Sequence, residues 1–192
     1  MIAKGLDFPG VTVVGVVDAD VALNLPDFRA GERTFDLLTQ VAGRTGRGPL
    51  GGRVIIQTRQ ARHPAVTHAA RHDVHGFARA ELAERREPPY PPHVALANLV
   101  VSGPGEQAVA DAAVKLGEWL RALAEARPEA GAAVLGPAPC PIERIRRRWR
   151  WHVLLKARDA ARLTRLVRYV SARAPVPAGV RLVVDRDPVS LL

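Results

Sequence analysis

The chain has 192 residues, a length that suits one large domain or two small ones. Hydrophobic residues make up 47% of it and charged residues 24%, and its apolar runs are shorter than the roughly 20 residues of a membrane helix, so we expect no membrane span. The single cysteine, Cys140, excludes an internal disulfide framework and favours a reducing, cytoplasmic location.

Basic residues outnumber acidic ones, 28 against 19, which gives a net charge of +9. The excess lies mainly in the second half, where residues 90–192 hold 16 basic and 9 acidic residues, against 12 and 10 in residues 1–89. Such a charge attracts a polyanion or an acidic peptide. A general richness in arginine explains the same numbers. The charge alone therefore does not decide between an anion-binding surface and a bias in composition.

The first half of the chain has the pattern of a parallel β-α-β unit. Residues 11–17 form a continuous β-branched run, which predicts a strand buried on both faces. A helix is predicted over residues 29–47 and a second strand over residues 54–58. Residues 63–87 are predicted to hold two short helices, the second over about 76–87.

The stiff segment at residues 88–92, Pro-Pro-Tyr-Pro-Pro, is the best domain boundary. We therefore predict two domains, residues 1–88 and 89–192. The second has the order β-α-β-β-α-β of a small α+β, ferredoxin-like domain. Its predicted elements are a strand at 94–102, a helix at 107–127, a short strand beginning at 134 before a proline-rich stretch at 137–141, a strand at 148–156, a helix from the cap Asp159 to about 173, and a strand at 180–185.

The segment Gln-Val-Ala-Gly-Arg-Thr-Gly-Arg-Gly at residues 40–48 carries the strongest functional signal. It places Arg44 and Arg47 three residues apart near a helix end, where both guanidiniums can reach one external anion. Phosphoryl transfer uses such cations, because negative charge grows on the transferred phosphate. Two arginines alone would more often be a helix end whose carbonyls attract cations, and the whole Gln-x-x-Gly-Arg-x-x-Arg pattern favours the phosphate interpretation.

This segment resembles motif VI of superfamily-two helicases, and residues 3–9, Ala-Lys-Gly-Leu-Asp-Phe-Pro, resemble motif V. The chain as a whole resembles the primosomal protein N′ (PriA) family of replication-restart helicases. The matching segments run in family order along the chain: residues 2–9, 18–20, 27–30, 32–33, 38–44, 89–92, 134–137, 148–151 and 185–189. The resemblance implies that residues 1–88 end a RecA-like second helicase lobe, an α/β fold.

In that family, motifs V and VI face ATP across a cleft. The resemblance implies that Arg47 is the arginine finger, that Arg44 is a second phosphate contact, and that Gln40 positions the nucleotide or its attacking water. These three residues are the expected catalytic set. The cofactors that it implies for the full-length protein are ATP and Mg²⁺.

The resemblance also assigns Gly5, Asp7 and Gly43 to the nucleotide site, with Gly5 and Asp7 coupling it to the single strand of DNA. Lys4 is an expected DNA contact. Motif V usually opens with a threonine that this chain lacks, so the DNA contact of that threonine has no counterpart here.

The sequence has no Gly-x-x-x-x-Gly-Lys-Ser/Thr loop to bind phosphates and no Asp-Glu-x-His segment to hold magnesium. The cysteine-rich zinc module of the family is missing too, and Cys140 alone cannot replace it. We therefore expect a fragment that is inactive as an ATPase without the first helicase lobe.

Five arginines fall within residues 144–150, and past Arg148 the pattern has a period of two. Trp149 and Trp151 share one face with apolar residues, while Arg150 and Lys156 share the other. Basic groups interleaved with aromatic ones suit single-stranded DNA, although the alternation alone favours tryptophans packed in the core. The arginines are less well explained as a solvated face, because so dense a run repels itself without an anion.

In the family this domain contacts branched DNA and helps to dock the acidic tail of single-stranded-DNA-binding protein. The expected partners are therefore branched and single-stranded DNA, that acidic tail and other primosome proteins, in the bacterial cytoplasm at the nucleoid. The candidate contacts in the second domain are Arg146, Arg147, Arg148, Arg150, Lys156, Arg158 and Arg162. The resemblance does not say which arginine binds which partner.

The function that the resemblance implies is an ATP-dependent 3′–5′ DNA helicase that restarts stalled replication forks and assembles the primosome. The alternative from another class is a non-enzymatic nucleic-acid-binding module. RNA binding through a ferredoxin-like sheet is disfavoured, because the predicted strands lack paired aromatic platforms outside Trp149 and Trp151. His68, His72 and His75 have a spacing that could place them on one helix face, but without a further ligand we expect no metal site.

Overall fold

The computed structural model describes residues 11–43 and 52–192. The chain divides into two compact units, Met1–Glu84 and Arg85–Leu192. This division falls four residues before the boundary that the sequence predicts.

The first unit alternates strands and helices, as predicted. Its described elements are β1 (Val13–Val16), α1 (Asp20–Leu23), α2 (Ala30–Ala42), β2 (Arg53–Ile56), α3 (Pro64–Ala69) and α4 (Val74–Glu84). Strands β1 and β2 pair in parallel, with Val13 opposite Arg53 and Val16 opposite Ile56. Helix α2 ends at Ala42 rather than at residue 47, and α4 lies two to three residues before its predicted bounds.

The expectation that residues 11–17 are buried on both faces is wrong for the described structure. Side chains of β1 alternate between exposed and half-buried, and Val13 and Val17 are 57% and 81% exposed. Within the described residues the sheet has two strands, and α2 packs against one of its faces. The apolar run therefore has no second layer over it in this part of the chain.

Two aspartates fix the loops of the first unit. The Asp20 carboxylate accepts hydrogen bonds from the Thr58 hydroxyl and from the Arg59 backbone N–H at 2.8 Å, and these bonds lower its pKa. The Asp27 carboxylate accepts from Arg29 N–H at 2.9 Å and pairs with Arg33 at 3.1 Å, at the start of α2. Asp20 and Asp27 both lie in segments that carry the family resemblance, and both have a structural role here.

The second unit has the element order β-α-β-β-α-β that the sequence predicts. Its elements are β3 (Ala95–Gly103), α5 (Glu106–Ala126), β4 (Ala132–Ile145), β5 (Arg148–Ala157), α6 (Ala160–Arg173) and β6 (Arg181–Arg186), with a short 3-10 turn at Pro128–Ala130. The four strands form an antiparallel sheet in the order β4-β5-β3-β6. Helices α5 and α6 cover one face of that sheet and form the core with it.

Strand β4 is longer than the sequence predicts, because the proline-rich stretch 137–141 belongs to it. The interpretation of that stretch as a break after a short strand is wrong. Proline has no N–H to donate, which is tolerated on an edge strand, and β4 is an edge of the sheet. The cost is irregular pairing with β5, with register shifts between Leu135 and Ala138 and between Pro139 and Arg144.

The face of the sheet away from the helices is partly covered. Leu96, Asn98 and Leu154 lie on it and are 0%, 4% and 8% exposed. Tyr90, which lies before β3, covers Lys156 on this face. No described helix is both long and apolar enough to cross a membrane.

Candidate nucleic-acid interface

The turn between β4 and β5 consists of two arginines. Ile145 pairs with Arg148, so Arg146 and Arg147 alone connect the strands. Both have positive φ, 49° and 65°, the left-handed conformation that a two-residue type I′ turn requires. Asn-Gly is the favoured sequence for that turn, since an ordinary L-residue in this region costs about 1–2 kcal/mol. The turn therefore keeps two arginines at a conformational cost.

A wide bulge in β4 precedes this turn. Pro139 pairs with Trp151 and the next pair is Arg144 with Trp149, so residues 140–143 face the single residue Arg150. The Arg150 guanidinium donates to Ile142 O at 3.2 Å and so bridges the bulge. The bulge ends next to the turn, a common place for β-structure to redirect side chains at functional sites.

The arginines of this hairpin tip (Arg144, Arg146, Arg147, Arg148 and Arg150) have no Asp or Glu side-chain partner among the described residues. The Arg144 guanidinium lies 5.1 Å from the centre of the Trp149 ring. Arg148 donates to Ser102 O at 3.0 Å, and Arg150 to main-chain oxygens. The Ser102 and Ile142 carbonyls are neutral acceptors that orient Arg148 and Arg150 without cancelling their charge, so the tip can bind an anion.

The remaining predicted arginines lie at the other end of β5. Arg158 and Arg162 are exposed, and the Arg162 guanidinium donates to Glu129 O at 2.5 Å. Asp159 caps α6 as predicted, since its carboxylate accepts from Arg162 N–H at 2.9 Å. The 10 residues of β5, at about 3.3 Å each, separate this second cluster from the hairpin tip by roughly 30 Å. The arginines therefore do not form one patch.

Lys156 does not belong to either cluster. It is 5% exposed, and its Nζ lies 3.4 Å from the centre of the Tyr90 ring. Burial lowers its pKa. The expectation that Lys156 presents its charge on a basic strip is wrong, because the segment before β3 covers this part of the sheet.

The two tryptophans of β5 are part of the hydrophobic core rather than a stacking platform. Trp149 and Trp151 are half-buried and pack against the cluster that includes Leu99, Leu116 and Leu163. The core interpretation of the alternation is therefore confirmed.

His152 lies on the opposite face of β5, and its Nδ1 is buried without a hydrogen-bond partner. Burial, and to a lesser degree the charge of Arg150, lowers its pKa below the usual 6.5. The unfolded chain therefore binds more protons below about pH 6.5, and we expect the free energy of unfolding to fall between pH 7 and pH 5 by at most about 1.4 kcal/mol per pH unit.

Urea denaturation at pH 7, 6 and 5 measures this dependence, and the variant His152→Gln should remove most of it. His93→Gln is the matched control, because His93 is exposed in the same unit. An equal dependence in the wild type and in His152→Gln would refute the assignment.

Of the predicted nucleotide-site residues, the structure describes two. Gln40 is exposed in the last turn of α2, and Gly43 caps that helix with a φ of −67°. A Cβ on Gly43 would meet its nearest atoms at 3.6 Å and 3.7 Å, an ordinary contact, so the local fold does not require glycine. Arg44, Arg47, Lys4, Gly5 and Asp7 lie outside the described residues.

The three histidines do not share one helix. His68 lies in α3, His75 lies in α4, and His72 lies between them with a φ of 52°. His68 Nδ1 instead lies 2.9 Å from the Asp73 carboxylate. No group of three His, Cys, Asp or Glu side chains that could hold a metal ion occurs in residues 11–43 and 52–192.

Sequence reasoning missed the conformation of the hairpin tip. The order Ile-Arg-Arg-Arg contains no turn signal such as Asn-Gly, so residues 146–147 give no warning of a two-residue turn.

Comparison with known proteins places these features in a family. A family model described as the primosomal protein N C-terminal domain matches residues 86–189. The chain is 44% identical over 170 residues to the replication restart protein PriA of Bacillus subtilis (strain 168), which covers 88% of this chain and 21% of that protein. It is 41% identical over 192 residues to the PriA protein of Treponema pallidum (strain Nichols), 100% of this chain and 29% of that protein.

A third relative, the PriA protein of Synechocystis sp. (strain ATCC 27184 / PCC 6803 / Kazusa), is 39% identical over 191 residues, 100% of this chain and 22% of that protein. The chain thus spans between a fifth and three tenths of the length of these relatives. It belongs to the PriA family of replication restart proteins and corresponds to the C-terminal part of its members.

Proposed function

We propose that this chain acts in DNA replication restart as the C-terminal part of an ATP-dependent 3′–5′ DNA helicase, and that its second unit binds DNA through the hairpin tip. The relatives named replication restart proteins support the first statement. The second rests on the five arginines around the β4–β5 turn that have no Asp or Glu side-chain partner among the described residues.

DNA is the anion that fits this arrangement best. A two-residue turn presents Arg146 and Arg147 together at the end of a hairpin, and Arg144 and Arg148 flank them. Guanidinium groups form paired hydrogen bonds to phosphate oxygens, and consecutive phosphates of a strand can meet several of them. Each neutralised phosphate releases counterions, which makes such binding strongly dependent on salt.

For the first unit we propose a role in ATP hydrolysis that the chain fulfils only together with the first helicase lobe. Its parallel strands β1 and β2 and helix α2 fit the end of a RecA-like second lobe. Gln40 and Gly43, at the end of α2, are exposed where a nucleotide could approach. With Mg²⁺ bound, ATP supplies the phosphoryl group, and Arg44 and Arg47 are proposed to stabilise its developing charge.

The second cluster, Arg158 and Arg162, is proposed to bind a different anionic partner. It lies roughly 30 Å from the hairpin tip along β5. A short acidic segment, such as the tail of single-stranded-DNA-binding protein, fits two exposed guanidiniums at a helix start. DNA at the tip and this tail, or another primosome protein, could therefore be held at the same time.

Salt-dependent DNA binding by the whole chain tests the proposal. Fluorescence anisotropy with a labelled branched DNA at several salt concentrations should give a plot of log K against log salt with a slope of about −3 to −4. Lys156→Met is the matched control, because that charge is buried and we expect the slope to stay unchanged. Binding that ignores salt, or a loss in Lys156→Met as large as in a tip variant, would contradict the proposed interface.

A further inference from the structure

The two edges of the four-stranded sheet differ in how they could receive another strand. Strand β4, at one edge, contains prolines and register shifts, which prevent regular pairing with a further strand. Strand β6, at the other edge, pairs with β3 in an unbroken register from Arg181 to Arg186 and contains no proline. Among the described residues none pairs with the outer side of β6. This edge is therefore open to a further strand.

The backbone of β6 presents hydrogen-bonding groups on that open side. Directly after the strand, the N–H of Asp187 points to β3, since it donates to Leu96 O at 2.9 Å. The direction of the backbone groups alternates from one residue of a strand to the next. Leu182 and Val184 therefore direct their N–H and C=O groups away from β3, where a partner strand could bond to them.

The side chains of β6 divide between the two faces of the sheet. Leu182 and Val184 pack against the core under the helices. On the other face Val183 is 41% exposed, and it lies between the exposed side chains of Arg181 and Asp185. Neither charged side chain has an ion-pair partner in the part of the chain that the structure describes. The open face of this edge thus reads basic, apolar, acidic.

That order is complementary to itself when the strand is reversed. We propose that β6 pairs antiparallel with β6 of a second copy of this chain, about a twofold axis at Val183. Val183 then meets Val183 of the other copy, and Arg181 of each copy meets Asp185 of the other. A twofold interface uses the same patch on both copies, so one arginine and one aspartate give two ion pairs.

Charge selects this register over its neighbours. Moving the pairing by one residue places Arg181 opposite Arg186, and moving it by two places Val183 opposite Asp185 or Arg181. In the proposed register the opposed charges and the two valines occupy the pairs without backbone hydrogen bonds, where side chains come closest. Leu182 and Val184 form the hydrogen-bonded pairs between them.

The size of the contact sets its expected strength. A pair of six-residue strands is smaller than a standard interface, and interfaces of that class are weak. We therefore expect a dissociation constant of roughly 100 µM. The inference goes beyond the proposed function and does not depend on DNA binding.

Sedimentation equilibrium of the whole 192-residue chain, at about 10 to 500 µM and about 0.15 M salt, tests the pairing. The average mass of the wild type should rise towards that of a dimer across this range. Arg181→Asp and Asp185→Arg each place like charges opposite one another at both ends of the contact. Each variant alone should therefore associate at least about tenfold more weakly.

An equimolar mixture of Arg181→Asp and Asp185→Arg should regain association close to that of the wild type, because two acidic positions then face two basic ones. Arg168→Asp is the matched control for charge reversal, since Arg168 is exposed on α6, away from this edge, and should associate as the wild type does. Circular dichroism should show that all variants remain folded.

A wild type that stays monomeric throughout this range would overturn the inference. So would equal association of the wild type and both single variants, or a mixture that associates no better than its components. No DNA enters these measurements, so failure here is distinct from failure of the proposed DNA binding.

Discussion

Replacing the turn with Arg146→Asn/Arg147→Gly is expected to make the protein more stable and to weaken its binding of DNA at the same time. Asn-Gly fits the left-handed conformation that both positions already adopt, φ 49° and 65°. Relieving two strained residues should raise the free energy of unfolding by about 1–2 kcal/mol. Thermal unfolding should report a midpoint several degrees higher, about 4–8 °C per kcal/mol for a unit of this size.

The same variant should reduce the affinity for DNA at low salt about 10-fold to 100-fold. It removes two guanidiniums from the site where phosphates are proposed to bind, so the slope of log K against log salt should become shallower by about 2. Anisotropy titrations across a salt series measure both quantities.

Arg165→Gln/Arg168→Gln is the matched control for the loss of charge, because both residues are exposed on α6 and the net charge changes equally. It should leave the salt slope unchanged. If the turn variant is more stable and its affinity for DNA equals that of the wild type, the two arginines do not serve DNA binding. If backbone strain at the turn is maintained for function, relieving it should raise the free energy of unfolding and lower the affinity for DNA.

Periodicity predicted much of the second unit, and the structure agrees with it. Leu116 and Leu120 of α5 are each 1% exposed, Leu163 and Val170 of α6 are fully buried, and Asp159 caps α6 through Arg162 N–H. These features depend on residues within one or two helical turns of each other, and a local pattern in the sequence contains that information.

The same local patterns could not predict what covers the second face of the sheet. The alternation in β5 places Lys156 and Arg150 on the face opposite the tryptophans. From that pattern we expect the side chains of Lys156 and Arg150 to be equally exposed. Tyr90, which lies 66 residues before Lys156 in the sequence, covers the lysine. Contacts between residues so distant in sequence depend on the path of the whole chain, which periodicity does not record.

The prediction that residues 11–17 of the first unit are buried was wrong for a related reason. A continuous β-branched run such as residues 11–17 is typical of a strand that is covered on both faces. Whether both faces are covered depends on other elements, and the described residues supply one neighbouring strand and one helical layer. The pattern predicted the parallel pairing of β1 with β2 correctly but did not determine the number of layers.

The largest expected effect belongs to Arg47, and it appears only when the missing catalytic parts are supplied. We expect a mixture of this chain with a separately produced first lobe, carrying the phosphate-binding loop and the Asp-Glu-x-His segment, to hydrolyse ATP when DNA is added. Arg47→Ala should reduce the turnover of the mixture by about 10³-fold or more, since an arginine finger contributes about 10³–10⁵ to the rate of phosphoryl transfer.

Arg53→Ala provides the control, because Arg53 is an exposed arginine of β2 in the same unit. It should leave turnover unchanged, and circular dichroism should show that both variants remain folded. ATP hydrolysis by the chain alone would contradict its dependence on the first lobe. Hydrolysis by the mixture that is indifferent to Arg47→Ala would exclude the arginine-finger role and favour the alternative, in which this chain contributes DNA binding without chemistry.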